Sequence, residues 1–234
     1  MKRALLDALL AAKALRVPAA VVTETATGAQ ALVEPDGESG DLALSGPERQ
    51  AVHALLHDEA GGTLEPAEDV RPLFVDVHAP PPRLVIVGAV HIAQHLVPMA
   101  VMTGYDVVVV DPREAFATPE RFAGVTVTHD WPDEALEDLR LDARTAVVTL
   151  THDPKLDDPA LRIALRAPVF YIGSLGSRKT HAKRVERLEK AGLSAGEIGR
   201  IHAPVGLAIG ARSPAEIAVS ILAQVTAVRR GAAS

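Results

Sequence analysis

The chain has 234 residues, 48% of them hydrophobic and only 3% aromatic, and it carries a net charge of −6 with no cysteine. Its length and hydrophobic content allow a full core divided between one large and one small domain. The missing cysteine excludes disulfides, thiolate metal sites and a thiol nucleophile, while the acidic charge and the scarce aromatic residues argue against a nucleic-acid partner.

No segment of the sequence is suited to a membrane. The leucine-rich start of the chain is interrupted by Asp7, Lys13 and Arg16, which indicates an amphipathic helix rather than a signal peptide. No uninterrupted apolar run approaches the roughly 20 residues that a membrane span needs. We therefore expect a cytoplasmic protein with no membrane partner.

The pattern of the first 79 residues predicts a small α+β domain. Its predicted elements are, in chain order, a helix (residues 4–15), a strand (17–23), a hairpin (31–33 and 42–44), a helix (47–56) and a strand (73–78). Consecutive prolines at 80–82 can join neither a helix interior nor a central strand, so we place a domain boundary there, between residues 1–79 and 80–234.

Residues 80–234 predict a doubly wound parallel sheet, because short apolar runs alternate with helical segments. The predicted strands are residues 84–87, 106–110, 146–150 and 169–172. Helix starts are signalled by Asp158-Pro159 and by two capping boxes, Ser194/Glu197 and Ser213/Glu216. The predicted fold class is therefore α/β, with a Rossmann-like domain following the smaller α+β domain.

The segment that begins at Tyr171 predicts an anion site. Gly173 and Gly176 allow a sharp turn that exposes backbone N–H groups, and Ser177 can cap the helix that follows. Basic residues in the first two turns of a helix oppose its dipole, so a phosphate or carboxylate ligand explains them better than helix stability does. These residues are Arg178, Lys179, Lys183 and Arg184. The alternative is a solvated helix face beside an ordinary strand-to-helix turn.

The turn after the first strand of the large domain has the position of a dinucleotide-binding loop. It begins at Gly88, and Asp111 ends the next strand where a ribose-binding acid would lie. Val90 replaces the glycine that lets a pyrophosphate approach the backbone, so we expect a Rossmann frame without ordinary NAD(P) binding. His91 follows the same turn, and we expect its side chain to face the crevice at the carboxyl edge of the sheet.

A polar segment follows the strand at 146–150 and should lie in the same crevice. His152 and Asp153 are candidate ligand contacts, whereas helix capping and turn formation account for Asp157 and Asp158. The spacing matches no specific metal template, so we predict no metal site. A hydrolase that combines this pair with Ser174 has no nucleophile signature.

A glycine-punctuated loop follows Ile201, and it supplies two further candidate contacts, His202 and Gly206. A lone histidine is more often structural than functional, and the same holds for His181. We expect Trp131, the single tryptophan, in the core.

Five motifs in this order resemble the XdhC/CoxI family. They are Gly88-Ala-Val-His91, Val110-Asp-Pro-Arg113, Thr151 to Leu161, Tyr171 to His181, and Ile201 to Ala211. The resemblance implies an accessory protein, rather than an enzyme, that transiently binds the molybdenum cofactor as molybdopterin or its dinucleotide form. It would assist sulfuration of the cofactor and its insertion into a molybdenum hydroxylase of the xanthine dehydrogenase or carbon monoxide dehydrogenase type.

The resemblance also implies partners and contacts. The partners are the hydroxylase apo-enzyme and a cysteine desulfurase, because a chain without cysteine cannot carry the sulfur itself. The cofactor carries a phosphate or a pyrophosphate, which suits the predicted anion loop. The predicted contacts are Gly88, His91, Asp111, Arg113, His152, Asp153, Gly173, Ser174, Gly176, Ser177, Arg178, Lys179, His202 and Gly206.

Two other functions stay open at this point. An NAD(P)-dependent oxidoreductase would use the Rossmann-like domain, with Asp111 on a ribose. A ligand-free scaffold would instead dock a hydroxylase or a desulfurase. Homodimerisation through the small domain is compatible with the sequence, although no residue pattern demonstrates it.

Overall fold

The computed structural model describes residues 2–65 and 70–232. The chain divides into two compact units, Met1–Pro80 and Pro81–Ser234. None of the helices in the described ranges is long and apolar enough to span a membrane.

The N-terminal unit is an antiparallel sheet with a helix on each face. Its elements are α1 (Arg3–Ala14), β1 (Ala19–Glu24), β2 (Gln30–Glu34), β3 (Gly37–Gly40), α2 (Gly46–Asp58), β4 (Gly62–Leu64) and β5 (Leu73–His78). The strand order is β3-β2-β1-β5-β4. Along β1, Val21 packs with the buried face of α1, whereas Val22 packs with that of α2. Successive side chains of β1 point to opposite faces of the sheet, so the strand packs against both helices.

The hairpin in this unit closes earlier than we predict from the sequence. Pro35 and Asp36 form a two-residue turn, so β3 begins at Gly37 and pairs with β2 at once. The prediction of a strand at 42–44 is wrong. Leu42 and Leu44 follow β3 and are buried in the core beside α2.

Glu48 is held more tightly than the capping of α2 alone requires. Its side chain accepts from the N–H of Ser45 at 2.8 Å, completing a capping box with the Ser45 hydroxyl. Arg71 also donates from Nε to Glu48 Oε1 at 2.8 Å and from Nη2 to Oε2 at 2.9 Å. These bonds from Arg71, with those from backbone N–H groups, outweigh the effect of burial and lower the pKa of Glu48 to about 2.

The C-terminal unit is a six-stranded parallel sheet covered on both faces. Its elements are β6 (Arg83–Val87), α3 (His91–Met102), β7 (Asp106–Val110), β8 (Thr126–Thr128), α4 (Pro132–Asp138), β9 (Thr145–Thr149), α5 (Pro154–Arg166), β10 (Tyr171–Ser174), α6 (Arg178–Lys190), α7 (Ala195–Ile198), β11 (Ile201–His202) and α8 (Pro214–Arg229). The strand order β8-β7-β6-β9-β10-β11 is that of a doubly wound Rossmann fold, which confirms the predicted fold class.

The core of this unit lies on both sides of the sheet. Leu84 and Ile86 of β6 pack on the face covered by α3 and α8, whereas Val85 and Val87 pack on the face covered by α4 and α5. Continuous burial of this kind explains why the strands are apolar runs without polar alternation. It also leaves the carboxyl edge of the sheet, where the turns into the helices lie, as the place for polar side chains.

Several local predictions change in the C-terminal unit. Helix α5 begins at Pro154 with Asp153 as its N-cap, so the predicted start at Asp158-Pro159 is wrong. The chain contains Asp-Pro twice in this segment, and the first occurrence directly follows β9, so the helix is already established when it reaches Pro159. Trp131 is 50% exposed rather than in the core. Strands β8 and β11 were not predicted, because two or three residues carry no readable period.

The three predicted serine caps are confirmed. Ser194 with Glu197, and Ser213 with Glu216, form complete capping boxes. Ser177 caps α6, because its hydroxyl accepts from the N–H of Thr180 at 3.1 Å.

Candidate functional site

The turns after β6 and β9 touch each other at the point where the strand order reverses. Gly88 has a φ of +113°, and a Cβ on it would lie 2.7 Å from Cγ2 of Thr151. Only glycine meets both conditions without strain. Gly88 therefore allows the two turns to pack closely, which is a structural reason for a glycine that we predict as a cofactor contact.

Asp111 is enclosed, and its carboxylate is already bound within the protein. Oδ2 accepts from the N–H of Ala89 at 2.8 Å, while Arg113 donates from Nε to Oδ1 at 2.8 Å and from Nη2 to Oδ2 at 2.7 Å. Burial raises the pKa of Asp111, but these hydrogen bonds outweigh burial, so the pKa lies below its usual range. Asp111 holds two turns together. In this geometry it offers no free oxygen to a ribose or to another ligand.

Arg113 and His91 stay accessible at this edge. The side chain of Arg113 is 38% exposed, and its guanidinium lies 4.6 Å from the centre of the Phe116 ring. His91 is exposed at the first position of α3. Val90, which precedes it, packs partly against the core cluster that includes α3.

The structure exchanges the roles that we predict within the polar segment after β9. Asp153 is the cap of α5, since its Oδ1 accepts from the N–H of Lys155 at 2.9 Å. Asp157 and Asp158, which we predict as caps, instead face α6. His152 is exposed and has a φ of +61°, a left-handed conformation that costs a non-glycine residue roughly 1–2 kcal/mol. Strain of this kind clusters at functional sites.

Gly173 and Ser174 are parts of β10 and not of the turn that follows it. Gly173 pairs with Val148 and His202, and a Cβ on it would lie 2.5 Å from Cγ2 of Val205. The prediction that Gly173 shapes an anion-binding turn is therefore wrong, because the residue makes room for core packing. Ser174 is buried, and its Oγ lies 2.6 Å from Oγ1 of Thr149. Gly176, with a φ of +137°, forms the turn itself.

His202 and Gly206 belong to a packed network behind the sheet edge. The rings of His202 and Tyr171 stack with centroids 4.7 Å apart, and burial lowers the pKa of His202. Oε1 of Gln224 accepts both from the Tyr171 hydroxyl at 2.6 Å and from the N–H of Gly206 at 2.8 Å. Both predicted contacts therefore have structural roles in this geometry.

A cavity of about 300 Å³ lies between the first turn of α5 and one face of α6. It is lined by His152, Pro154, Asp157, Lys179, Thr180, Lys183, Arg184 and Arg187. Of the residues that we predict as contacts, it brings together His152 and Lys179. Arg178 is exposed and is not among the lining residues. Four cationic side chains line the cavity with one carboxylate, and the Asp158 carboxylate pairs with Arg187, so the cavity keeps an excess of positive charge in a chain that is acidic overall.

Arg184 and Asp157 form the buried floor of this cavity. Each side chain is 2% exposed, and Arg184 Nη2 lies 3.7 Å from Asp157 Oδ2 and 2.9 Å from the carbonyl oxygen of Leu175. Oδ1 of Asp157 accepts from the hydroxyl of Thr151 at 2.7 Å. Burial raises the pKa of Asp157 and lowers that of Arg184, and their mutual attraction only partly offsets this.

The sequence contains a signal for this cavity that our predictions use only in part. Lys179, Lys183 and Arg187 are spaced by four residues, so they share one face of α6. The first turn of α6 contains no acidic residue that would favour its dipole. Asp157 and Arg187 were missed, because the position of α5 against α6 is a tertiary feature. Among the described residues, no group of three His, Asp or Glu side chains could hold a metal ion.

Comparison with known proteins gives a consistent family assignment for the C-terminal unit. Residues 84–225 match the model of the XdhC Rossmann domain. The structure is also similar to that of a xanthine dehydrogenase from Bacillus halodurans, with a TM-score of 0.70 and 25% identity over 98% of this chain and 66% of that one.

Three curated relatives are similar in sequence. The Escherichia coli K12 protein YqeB is 33% identical over 68% of this chain and 30% of its own length. The molybdenum cofactor insertion chaperone PaoD from the same organism is 35% identical over 63% of this chain and 40% of its own length. A probable xanthine dehydrogenase subunit of Bacillus subtilis 168 is 32% identical over 68% of this chain and 46% of its own length. The chain thus spans less than half the length of each of these relatives.

Proposed function

The chain belongs to the XdhC family, and on this basis we propose that it binds the molybdenum cofactor and assists its insertion into a hydroxylase of the xanthine dehydrogenase type. The relative PaoD is named as an insertion chaperone for this cofactor, and the Bacillus relatives are named as a xanthine dehydrogenase or as part of one. The cofactor is cargo in this proposal, so the chain acts by binding and release rather than by turnover.

The cationic cavity between α5 and α6 is the observation that carries this proposal. Molybdopterin and its dinucleotide form both carry phosphate groups, and these need cations and N–H donors for recognition. Lys179 and Lys183 supply mobile ammonium groups, while Arg184 supplies a fixed guanidinium. The charge and the donors of the cavity are therefore those that the phosphate end of the cofactor requires.

The cavity suits the phosphate end of the cofactor better than the whole molecule. Its volume of about 300 Å³ is at the lower end of the range for ligand pockets, roughly 300–1,000 Å³. The pterin must then extend along the carboxyl edge of the sheet, where we keep His91, Arg113, Ser177 and Arg178 as proposed contacts. The remaining predicted residues are proposed to shape this edge from behind; they are Gly88, Asp111, Asp153, Gly173, Ser174, Gly176, His202 and Gly206.

Sulfuration of the cofactor is proposed as a step to which this chain contributes only a platform. The chain contains no cysteine, so it cannot hold the sulfur as a persulfide. The sulfur would come from a separate cysteine desulfurase, and the apo-hydroxylase would receive the finished cofactor.

The first test is retention of the cofactor. Cofactor released from a hydroxylase is mixed with the purified chain, and bound molybdenum and pterin fluorescence are measured after gel filtration. We expect retention by the native chain, and at least about tenfold weaker binding by a Lys179→Ala/Lys183→Ala variant, because each charge-assisted bond is worth about 1.5–3 kcal/mol. Lys190→Ala, at the other end of α6, is the matched control and should bind normally.

The second test is transfer. Loaded protein should activate cofactor-free xanthine dehydrogenase faster than an equal amount of free cofactor. If the native chain retains no cofactor, the proposal fails. If the chain retains the cofactor without faster transfer, it stores the cofactor and does not insert it.

An NAD(P)-dependent oxidoreductase is the alternative that the strand order favours, since dinucleotides bind at the reversal point of this fold. Against it, Val90 replaces a glycine of the binding loop and Asp111 is enclosed. Calorimetric titration with NADH and NADPH separates the two functions, because micromolar binding would support the oxidoreductase. A scaffold without a ligand would capture a hydroxylase equally well with and without Lys179 and Lys183.

A further inference from the structure

Arg184 has hydrogen-bond donors that the protein does not use. Its side chain is 2% exposed, yet within residues 2–65 and 70–232 neither Nε nor Nη1 has a hydrogen-bond partner. Only Nη2 is used, by the carbonyl oxygen of Leu175. A buried donor left unsatisfied destabilises a protein, and the effect is larger when the donor is charged. Two unused donors on a buried guanidinium at the floor of a cavity therefore need an explanation.

Asp157 does not provide that explanation. At 3.7 Å its Oδ2 is too far from Arg184 Nη2 for a hydrogen bond, and Oδ2 likewise has no partner in the described ranges. Its other oxygen is bound by Thr151. The two charges attract each other but leave the free donors of Arg184 unoccupied.

Two of the cations around Arg184 also lack partners within the described part of the chain. In the described part of the chain, neither Lys179 nor Lys183 forms an ion pair, although both line the cavity. Lysines four residues apart on a helix repel each other, so this pair does not stabilise α6. Arg187 differs, since it is bound to the Asp158 carboxylate through Nε and Nη2. Two lysines without an ion pair and a buried guanidinium with two unused donors thus line one cavity in the described part of the chain.

We propose that this cavity is a binding site for a dianionic phosphate group, anchored by the guanidinium of Arg184 and flanked by the ammonium groups of Lys179 and Lys183. The inference rests on the proposed function only for the natural ligand, which is then a phosphate group of the molybdenum cofactor. The anion site itself is independent of that identity.

A phosphate fits these groups better than a carboxylate does. Its oxygens can accept from a planar guanidinium and from two ammonium groups at once, whereas a carboxylate has only two oxygens to share. A dianion also matches the charge of the lining, because Asp157 and Asp158 offset two of its four cations and leave two positive charges. Thr180 lines the same cavity, and its hydroxyl lies 2.9 Å from that of Ser177.

The test uses inorganic phosphate as the probe and the full chain as the protein. Calorimetric titrations are run at neutral pH and at an ionic strength held constant with sodium chloride, and the native chain is compared with Arg184→Lys, Lys179→Met/Lys183→Met and Lys190→Met. Arg184→Lys keeps the charge but loses the planar fork. The double lysine variant changes only exposed side chains, so it keeps the proposal testable if the Arg184 variant does not fold.

We expect the native chain and Lys190→Met to bind phosphate equally, and the other two variants to bind at least tenfold more weakly. Equal binding by all four proteins, or no heat beyond that of chloride, overturns the site. Repeating the series with molybdopterin separates the two proposals. Binding of phosphate without molybdopterin leaves the anion site standing and removes the proposed function. Molybdopterin binding that is equally tight in the Arg184 and lysine variants would leave the proposed function standing and remove the anion site.

Discussion

The guanidinium of Arg184 and the carboxylate of Asp157 are buried side by side, with Nη2 and Oδ2 3.7 Å apart and no hydrogen bond between them. Burial shifts both pKa values towards the neutral forms, although an arginine stays protonated under any condition in which the protein is folded. The two unused donors of Arg184 are therefore a stability cost that a bound anion can relieve.

Arg184→Met should destabilise the C-terminal unit by about 3–5 kcal/mol, because it leaves the Asp157 carboxylate buried without a cation. Adding Asp157→Asn should recover much of that loss, so the double variant should be more stable than the sum of the single changes allows. Urea unfolding measures the stability of Arg184→Met, Asp157→Asn and the double variant. It is followed by the fluorescence of Trp131, which reports on this unit alone. Strictly additive losses would show that the two charges do not interact.

Glu48→Gln should make the N-terminal unit less stable at neutral pH, by on the order of 2 kcal/mol, since it weakens charge-assisted bonds from Arg71. The folded pKa of about 2 lies below the ordinary 4.5. The carboxylate therefore contributes stability above pH 4.5, and that contribution disappears as the pH falls towards 2. The free energies of unfolding of the native chain and of the variant should therefore converge as the pH falls from 4.5 towards 2.

Unfolding of the N-terminal unit is followed by circular dichroism, which reports its secondary structure. The fluorescence of Trp131 is not suitable, because that residue lies in the C-terminal unit. Glu38→Gln is the control, since its pair with Arg49 is on the surface and should contribute much less to stability. A constant difference between the native chain and Glu48→Gln from neutral pH to pH 2 would contradict the assigned pKa.

Gly173→Ala should cost about 1–3 kcal/mol of stability by overpacking. Its Cβ would lie 2.5 Å from Cγ2 of Val205 and 2.8 Å from the Tyr171 ring. Gly196→Ala is the matched control, because a Cβ there meets no atom within 4 Å and the residue lies in helix α7. The urea midpoint from Trp131 fluorescence should fall for the first variant and not for the second. Unchanged midpoints for both would return Gly173 to a role in ligand binding.

Gln224→Met should destabilise more than Tyr171→Phe does. The glutamine oxygen is shared by the Tyr171 hydroxyl and the Gly206 N–H, so removing it leaves two donors unsatisfied at about 1–3 kcal/mol each. Tyr171→Phe leaves the acceptor with its second partner and should cost about 0.5–1.5 kcal/mol. Thermal unfolding ranks the two variants, and the opposite order would show that the Gly206 bond is dispensable.

Much of the fold could be predicted because its determinants are local or periodic. The apolar runs at β6 and β7 predict buried parallel strands. Ser194 and Ser213 mark helix starts through residues only three positions away. Where two local signals compete, as at Asp153-Pro154 and Asp158-Pro159, the sequence pattern does not rank them. The position of the preceding strand then decides which one starts the helix.

By itself, the sequence determined the α/β class, the family and the basic character of α6, since these follow from period, motif order and residue type. Only the tertiary structure decided that Asp111 is enclosed, that Gly173 serves packing, and that Arg184 meets Asp157 across two helices. The reason is physical. Burial and unused hydrogen-bond donors depend on the atoms that oppose a residue in space, and those atoms lie 27 positions away for Arg184 and Asp157.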